Sequence, residues 1–169
     1  LFKSQRYLYN VKKYTLLHAD IFIPGVLMEN GNGKIFIVDN NLEEPRILYE
    51  ILSANGYTVK IFCDEDLNIS ELSDDIPDCI ILEVNLPEKD GLKLCSRFKS
   101  EPALMDIPVI FVSAADETGN LSDAFNAGGV DYILKPFRRE EVLAKTKNHI
   151  TVSRMKRRLE DIVHERTVE

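Results

Sequence analysis

A regular alternation of strand-like and helix-like segments after residue 33 constrains the fold of this chain more than any other feature. Five short apolar runs, each typical of a β-strand, are followed by segments whose apolar residues recur at helical spacing. The predicted strands cover residues 34–38, 57–62, 78–84, 107–112 and 130–134. Strands that are separated by helices pair in parallel through right-handed crossovers. The sequence therefore predicts an α/β, doubly wound parallel sheet.

The residues between these runs supply start and stop signals for helices. Asn40 and Asn41 can accept hydrogen bonds from the first turn of a helix, and Pro45 lies where a missing N–H does least harm. Gly56 and Gly128 are typical of residues that end a helix. Further helices are predicted over residues 64–75, 92–98 and 116–127, and from residue 139 onward.

The distribution of charge argues against a nucleic-acid partner. The net charge is −7, with a net of +3 in residues 1–34 and therefore −10 in the remainder. A domain this acidic repels phosphate backbones, so we expect no binding of DNA or RNA by this segment. No apolar run approaches the roughly 18 residues of a membrane-spanning helix, so we expect no membrane association either.

The cysteines and histidines lack the spacing of metal ligands. Cys63, Cys79 and Cys95 are an odd number without a CxxC motif. This pattern argues against a zinc site or a disulfide framework, and it favours a reducing, cytoplasmic location. We expect the histidines at positions 18, 149 and 164 to face solvent.

Polar side chains follow the ends of four predicted strands. They are Asp39 and Asn40 after the first, Glu83 at the end of the third, Ser113 after the fourth and Lys135 after the fifth. Ligands of doubly wound sheets bind beyond the carboxyl ends of the strands, so these residues define a candidate site. Carboxylates there could hold a divalent cation, and the hydroxyl and lysine could bind a phosphoryl group.

Five motifs at these positions resemble the response-regulator receiver domain of two-component signalling, over residues 34–150. The motifs are Ile35 to Asp39, Pro77 to Glu83, Leu86-Pro87 with Asp90-Gly91, Val109 to Ala114, and Tyr132 to Phe137. The resemblance implies a flavodoxin-like (βα)5 fold with strand order 2-1-3-4-5, to which the apolar spacing near the end of the chain adds an extended C-terminal helix. It also implies a signalling module rather than an enzyme.

This resemblance assigns roles to the residues of the acidic pocket. Asp39 matches the first acid of the family's metal-binding pair, and Asn40 matches the second. Asn85 matches the position whose backbone carbonyl binds the metal. Glu83 stands where the family has its phosphorylated aspartate. The implied metal site is therefore Asp39, Asn40 and Asn85.

The same resemblance assigns the residues that sense the phosphoryl group. Ser113 and Lys135 match the family's switch hydroxyl and lysine, and Tyr132 matches the aromatic residue that turns inward on activation. The lysine–proline bond of the family is usually cis, so we expect a cis bond between Lys135 and Pro136.

Two positions depart from the family's pattern, and both affect its chemistry. Asn40 removes a negative charge from the cation site, which weakens the binding of Mg²⁺. Glu83 adds a methylene that moves the carboxylate by roughly 1.5 Å, and misplacement by about 1 Å can cost a hundredfold in rate. We therefore expect a weak or lost Mg²⁺ site, no efficient phosphorylation, and an ion pair between Glu83 and Lys135.

Two other functions stay open at this point. The first is a conventional receiver, in which Glu83 or a neighbouring acid accepts a phosphoryl group and loses it again with Mg²⁺. The second is a small α/β enzyme or a flavin-binding protein on a similar sheet. Against the second, no glycine-rich phosphate loop follows the first strand, and Asp39 would repel a phosphate there.

The last helix is predicted to extend past the receiver as a coiled-coil-like linker over residues 151–169. Val152, Met155, Leu159 and Ile162 recur at three- and four-residue steps, the a/d pattern of a coiled coil. The pattern favours a parallel homodimer. The part from Leu159 to Glu169 also resembles the helical linker that joins receivers to histidine-kinase, sensory or cyclase output modules. The alternative is an amphipathic helix packed on its own domain.

Residues 1–33 are assigned to an N-terminal extension or linker. Their basic excess, and the Asn30 to Gly33 run that is typical of a flexible connection, indicate an upstream linker or part of a preceding domain. Because the chain begins with Leu1 rather than Met, we expect it to be part of a longer protein.

Overall fold

The computed structural model describes residues 31–41, 43–63, 67–87, 90–114 and 121–167. The chain divides into two units, residues 1–30 and 31–169, and all the described residues belong to the second. The features expected in residues 1–30, 64–66 and 116–120 lie outside the described residues.

A five-stranded sheet forms the centre of the second unit. Its strands are all parallel and follow the order β2-β1-β3-β4-β5. The strands are β1 (Gly33–Val38), β2 (Tyr57–Phe62), β3 (Cys79–Glu83), β4 (Val109–Ala114) and β5 (Asp131–Lys135). The fold class and strand order expected from the sequence are confirmed, and every strand lies within two residues of its predicted bounds.

Five helices connect or follow the strands. They are α1 (Glu44–Ser53), α2 (Ile69–Asp74), α3 (Gly91–Ser100), α4 (Leu121–Asn126) and α5 (Arg139–Thr167). The predicted start and stop signals of α1 are in place. The side-chain oxygen of Asn41 accepts a hydrogen bond from the N–H of Glu43 at 2.9 Å, and Pro45 occupies the first turn. Gly56, with a φ of 81°, follows the end of the helix.

The middle strand β3 is buried along its whole length. Ile80 and Leu82 belong to one apolar cluster, whereas Cys79 and Ile81 belong to another, because successive side chains of a strand point to opposite faces. A strand covered on both faces carries a continuous apolar run, as this one does. The strand nevertheless ends in Glu83, which is only 5% exposed.

The register of the strands brings their carboxyl ends to one edge of the sheet. Glu83 pairs with Val112 of β4, and Lys135 pairs with Ala114 of the same strand. Asp39 directly follows β1, the other neighbour of β3. The polar residues at the strand ends therefore surround one crevice, where ligands of such sheets bind.

A close backbone approach holds the loop after β3 against the end of the strand. The N–H of Gly91 donates a hydrogen bond to the carbonyl of Val84 at 3.0 Å, and Asp90 caps α3 by accepting hydrogen bonds from two N–H groups of its first turn. A Cβ atom at position 91 would lie 2.2 Å from the carbonyl oxygen of Glu83 and 2.7 Å from that of Val84. Glycine is therefore required here by space.

Helix α5 is continuous over 29 residues, a length of about 44 Å. It passes without a break through residue 150, where the sequence analysis placed the end of the receiver. Val142, Thr146 and Ile150 are buried against the domain, whereas residues 158–166 are exposed. Within the described part of the chain, none of the helices combines the length and the apolar character needed to span a bilayer.

Ion pairs attach the middle of α5 to the amino edge of the sheet. Arg154 contacts Asp78 at 3.2 Å, and Lys156 contacts Asp106 at 2.7 Å. Asp78 directly precedes β3, and it also accepts a hydrogen bond from the backbone N–H of Lys34 at 2.8 Å. Helix α5 is thus anchored at the edge opposite to the candidate site.

Replacing Gly91 by alanine is expected to lower the free energy of unfolding by about 1–3 kcal/mol, the usual cost of overpacking. The new methyl group would meet two backbone carbonyl oxygens, which cannot move aside as the end of a side chain can. Urea unfolding followed by far-UV circular dichroism measures the change. Ser96→Ala, at an exposed position of the same helix, is the matched control. Equal free energies of unfolding for the two variants would contradict the close approach.

Candidate functional site

The ammonium group of Lys135 lies between two carboxylates at the carboxyl edge of the sheet. Its Nζ atom donates hydrogen bonds to Oε2 of Glu83, at the end of β3, and to Oε2 of Glu44, in the first turn of α1. Burial alone would lower the pKa of Lys135, but the two carboxylates outweigh it and raise the pKa above its ordinary value. The ion pair expected between Glu83 and Lys135 is present, and the bond from Lys135 to Pro136 is cis, as expected.

Both carboxylate oxygens of Glu83 have hydrogen-bond partners. Oε1 accepts a hydrogen bond from the backbone N–H of Asn85 at 3.0 Å, and Oε2 accepts one from Lys135. A buried charge is costly unless it is paired and hydrogen-bonded, and this one has both kinds of partner. The ion pair with Lys135 therefore holds the Glu83 side chain toward the end of β5, and the N–H of Asn85 holds it toward the loop that follows β3.

Asp39 is a buried carboxylate with one unsatisfied oxygen. The residue is 2% exposed, and its Oδ1 atom accepts a hydrogen bond from the N–H of Asn41 at 2.7 Å. Its Oδ2 atom has no hydrogen-bond partner. Burial, together with a smaller effect of the negative charge of Glu83, raises the pKa of Asp39 to about 6. The hydrogen bond from the N–H of Asn41 acts in the opposite direction and lowers the pKa. Ionised Asp39 is therefore costly in this position.

Asp39, Glu44 and Glu83 each bring one carboxylate oxygen within 4.8 Å of the other two. Oxygen ligands of this kind are preferred by Mg²⁺ and Ca²⁺, and the unsatisfied oxygen of Asp39 is one that a cation would satisfy. The residues present therefore fit the hard divalent cation that the family implies. Of the predicted metal-site residues, Asp39 belongs to this cluster. Asn40 follows it and is half-buried, and the exposed Asn85 directs its N–H toward Glu83.

Glu44 was missed by the sequence analysis. An acid in the first turn of a helix is ordinary, because it interacts favourably with the partial positive charge of the helix N-terminus. A signal was nonetheless present in the sequence. Helix α1 is the first element after β1, so its first turn opens on the same edge of the sheet as Asp39.

The two remaining residues that were predicted to sense the phosphoryl group lie on β4 and β5. Ser113 is 5% exposed, and its hydroxyl donates a hydrogen bond to the carbonyl of the next residue at 3.2 Å. Tyr132 is half-buried and lies further from the crevice along β5. Its ring packs against that of Phe125 in a T-shaped arrangement with centroids 6.4 Å apart, and Nζ of Lys145 lies 4.7 Å from the Tyr132 ring centroid. Tyr132 thus packs between α4 and α5.

A second group of charged residues surrounds the start of β5. Lys145 contacts Asp131 at 3.1 Å and Glu141 at 3.2 Å, and it donates a hydrogen bond to the carbonyl of Tyr132. Nε2 of His149 lies 2.9 Å from Oδ2 of Asp131. The expectation that His149 faces solvent is therefore wrong, because the rotation of α5 turns this ring toward β5.

Comparison with known protein families agrees with the fold. The family model of the response regulator receiver domain matches residues 35–147, which is more than half of the chain. The chain therefore belongs to the response-regulator receiver family of two-component signalling.

Individual relatives support the same assignment. The response regulator MprA of Mycobacterium ulcerans is 34% identical over 112 residues, covering 66% of this chain and 47% of that protein. This chain thus spans about half the length of the curated relatives it matches. Among solved structures, a crystallised protein of Chloroflexus aurantiacus is 28% identical with a TM-score of 0.67, covering 70% of this chain and 98% of that one.

A third relative is itself described as part of a kinase. The signal receiver domain of a signal transduction histidine kinase from Syntrophus aciditrophicus is 29% identical with a TM-score of 0.64. The similarity covers 70% of this chain and 90% of that one. Receiver domains similar to this chain therefore occur in more than one kind of signalling protein.

We expect Asp39→Asn to raise the free energy of unfolding at pH 7.5 by about 2–3 kcal/mol in buffer with a chelator. Because the pKa of Asp39 rises from 3.8 to about 6 on folding, the folded state binds the proton more tightly than the unfolded state. The ionised carboxylate therefore destabilises the folded state only slightly at pH 4, and this destabilisation reaches its full size above pH 6. The stabilisation should shrink below about 1 kcal/mol at pH 4.

Urea unfolding of both proteins at pH 4 and pH 7.5 measures this pH dependence. Asp74→Asn, at an exposed position of α2, is the control and should show no such change. If Asp39→Asn shifts the free energy of unfolding equally at both pH values, the buried, poorly paired carboxylate is not the cause.

Proposed function

We propose that this chain is an atypical receiver domain that regulates or dimerises an attached output domain without efficient phosphorylation. The observation that carries the proposal is the hydrogen bonding of Lys135 to both Glu83 and Glu44. In the family resemblance, this lysine senses the phosphoryl group. Here two carboxylates already take two of the three donors of its ammonium group.

The environment of Glu83 also opposes phosphoryl transfer. Transfer depends on placing the attacking oxygen in line with the bond that breaks. Each oxygen of Glu83 has a partner, in Asn85 or Lys135, and the residue is 5% exposed. An attacking oxygen would have to give up one of these partners. The neutral Asn40 weakens the neighbouring cation site as well.

We expect beryllofluoride, a phosphoryl mimic, to cause no change in the amide NMR chemical shifts of the chain. Mg²⁺ is present both before and after the mimic is added. The reason is that the side chain of Glu83 is one methylene too long and misplaces the oxygen that would bind the mimic, whether or not Mg²⁺ displaces Lys135 from it. The matched variant is Glu83→Asp combined with Asn40→Asp, which restores both family acids. It should respond to beryllofluoride at Ser113, Lys135 and Tyr132.

Shifts around these residues in the unaltered chain, at millimolar or tighter affinity, would contradict the proposal. They would instead establish a phosphorylation switch that uses glutamate. The Mg²⁺ present in both arms of the comparison separates the effect of the mimic from any effect of the cation alone.

A conventional Mg²⁺-dependent receiver is the second candidate function, and the carboxylate cluster favours it. Asp39, Glu44 and Glu83 are the residues that would hold Mg²⁺, which when bound would neutralise charge on phosphoryl oxygens. In that function, a carboxylate oxygen of Glu83 forms a P–O bond as the P–N bond of a phosphohistidine donor breaks. The relatives are named response regulators, which also favours it. The beryllofluoride comparison distinguishes the two functions.

An exposed apolar stripe on α5 supports the dimerisation part of the proposal. Val152, Met155, Leu159 and Ile162 are 64%, 59%, 63% and 47% exposed. Steps of three and four residues place them along one side of the helix. Their exposure argues against packing of this stripe on its own domain. A second copy of the same helix, aligned in parallel, would cover them as a coiled-coil seam.

The proposed organisation is an extension over residues 1–33, a receiver over 34–150 and a helical linker over 151–169. Its proposed partners are a second copy of the chain and a histidine kinase or output domain. The acidic composition supports no nucleic-acid partner and no membrane association for this segment. Free thiols support a cytoplasmic location; they are Cys79 and Cys95, both buried, and Cys63, which is half-buried.

We expect the chain to sediment as a dimer at tens of micromolar and Leu159→Glu to sediment as a monomer. The substitution places two like charges across the centre of the proposed seam. Analytical ultracentrifugation of both proteins checks the prediction. Asp161→Asn, an exposed position off the stripe, is the control and should leave the dimer intact. A monomeric unaltered chain, or a dimeric Leu159→Glu variant, would contradict the proposed seam.

A further inference from the structure

The crevice at the carboxyl edge holds more negative charge than its lysine compensates. Asp39, Glu44 and Glu83 place three carboxylate oxygens within 4.8 Å of one another, and Lys135 supplies one ammonium group. The ammonium group of Lys135 donates hydrogen bonds to Glu44 and Glu83 but not to Asp39. Like charges at this distance disfavour one another's ionised forms unless a cation lies among them.

Asp39 gives a second and independent indication of a cation. Its side chain is 2% exposed, one oxygen is bonded to the N–H of Asn41, and the other has no hydrogen-bond partner. Asp39 is also one of the three residues whose carboxylate oxygens converge, so a buried side chain with an unpartnered oxygen is part of the cluster. Buried polar atoms of folded proteins nearly always have a partner. A cation is a partner that this carboxylate could take together with the other two.

Glu44 brings to the crevice the charge that Asn40 lacks. Its side chain is 29% exposed, and its bond to Lys135 turns the carboxylate toward the crevice. The preceding residue, Glu43, is exposed and lies outside the cluster. Of two successive glutamates, therefore, the second contributes to the crevice and the first faces solvent.

We propose that Glu44 replaces the missing second acid, so that Asp39, Glu44 and Glu83 form a site for a hard divalent cation that exchanges with the ammonium group of Lys135. The spacing suits such an ion. Two ligand oxygens on opposite sides of Mg²⁺ are about 4 Å apart, and those around Ca²⁺ are about 5 Å apart. A cation that takes the oxygens of Glu44 and Glu83 releases Lys135 from both.

Occupancy of this site therefore determines whether Lys135 is bound to carboxylates or available to another acceptor. The inference goes beyond the proposed function, and it holds whether or not Glu83 accepts a phosphoryl group. It also gives Glu44 a role that the family pattern does not provide.

Titration of the full chain with Mn²⁺, followed by the electron paramagnetic resonance signal of free Mn²⁺, tests the proposal. We expect saturable binding at millimolar or tighter affinity and displacement by Mg²⁺. Glu44→Gln keeps the shape of the side chain and removes its charge, and it should weaken binding by about tenfold or more because affinity follows ligand charge. Glu43→Gln, which removes the same charge one residue away, should bind like the unaltered chain.

Lys135→Met tests the exchange. Removing the competing ammonium group should tighten Mn²⁺ binding by about threefold or more, since like charges compete for the same oxygens. Circular dichroism checks that each variant is folded, and the rise in Tm on adding Mn²⁺ gives a second measure of binding.

Three outcomes would overturn the proposal. They are the absence of saturable Mn²⁺ binding, equal affinities of Glu44→Gln and Glu43→Gln, and weaker binding by folded Lys135→Met. None of these outcomes affects the proposal of inefficient phosphorylation, which depends on the response to beryllofluoride. The two proposals can therefore fail separately.

Discussion

Charge balance in the crevice is the constraint on which the rest of the site depends. The parallel sheet ends in a crevice that is partly closed to water, and three acids converge there. Lys135 joins β5 to β3 through Glu83 and to α1 through Glu44, so a single ammonium group connects three elements. Any ligand of the crevice has to compete with this lysine or take the oxygen of Asp39 that it leaves unpaired.

Most of the fold could be predicted from the sequence because it follows from periodicity along the chain. Continuous apolar runs identified the covered strands, and parallel strands necessarily bring Asp39, Glu83 and Lys135 to one edge. Glu44 and His149 could not be placed in this way. Each lies on a helix, and the rotation of that helix about its axis decides which neighbour the side chain meets. That rotation is set by packing across the whole domain, which sequence spacing alone does not determine.

Family membership and departure from the family pattern concern different parts of the same molecule. The apolar faces of β3 and its neighbours lie within the residues that the receiver family model matches, and they determine where the strand ends lie. In the proposed atypical receiver, Asn40 and Glu83 change only the groups displayed at those ends. Strand β3 also connects the two edges, because Asp78 at its start contacts α5 through Arg154 while Glu83 lies at its end. Four residues of fully buried strand therefore separate Glu83 in the crevice from Asp78, the ion-pair partner of α5.

The continuity of α5 fixes an angle as well as a distance. The helix runs unbroken from Arg139 to Thr167. If another domain is joined to it by uninterrupted helix, the helix fixes the rotation of that domain about the helix axis relative to the receiver. Each added residue turns that domain by about 100° and advances it by about 1.5 Å. Two added residues would turn it by about 200°, whereas seven would nearly restore the original direction. The number of residues in the helix thus sets the angle at which the receiver and such a domain face each other.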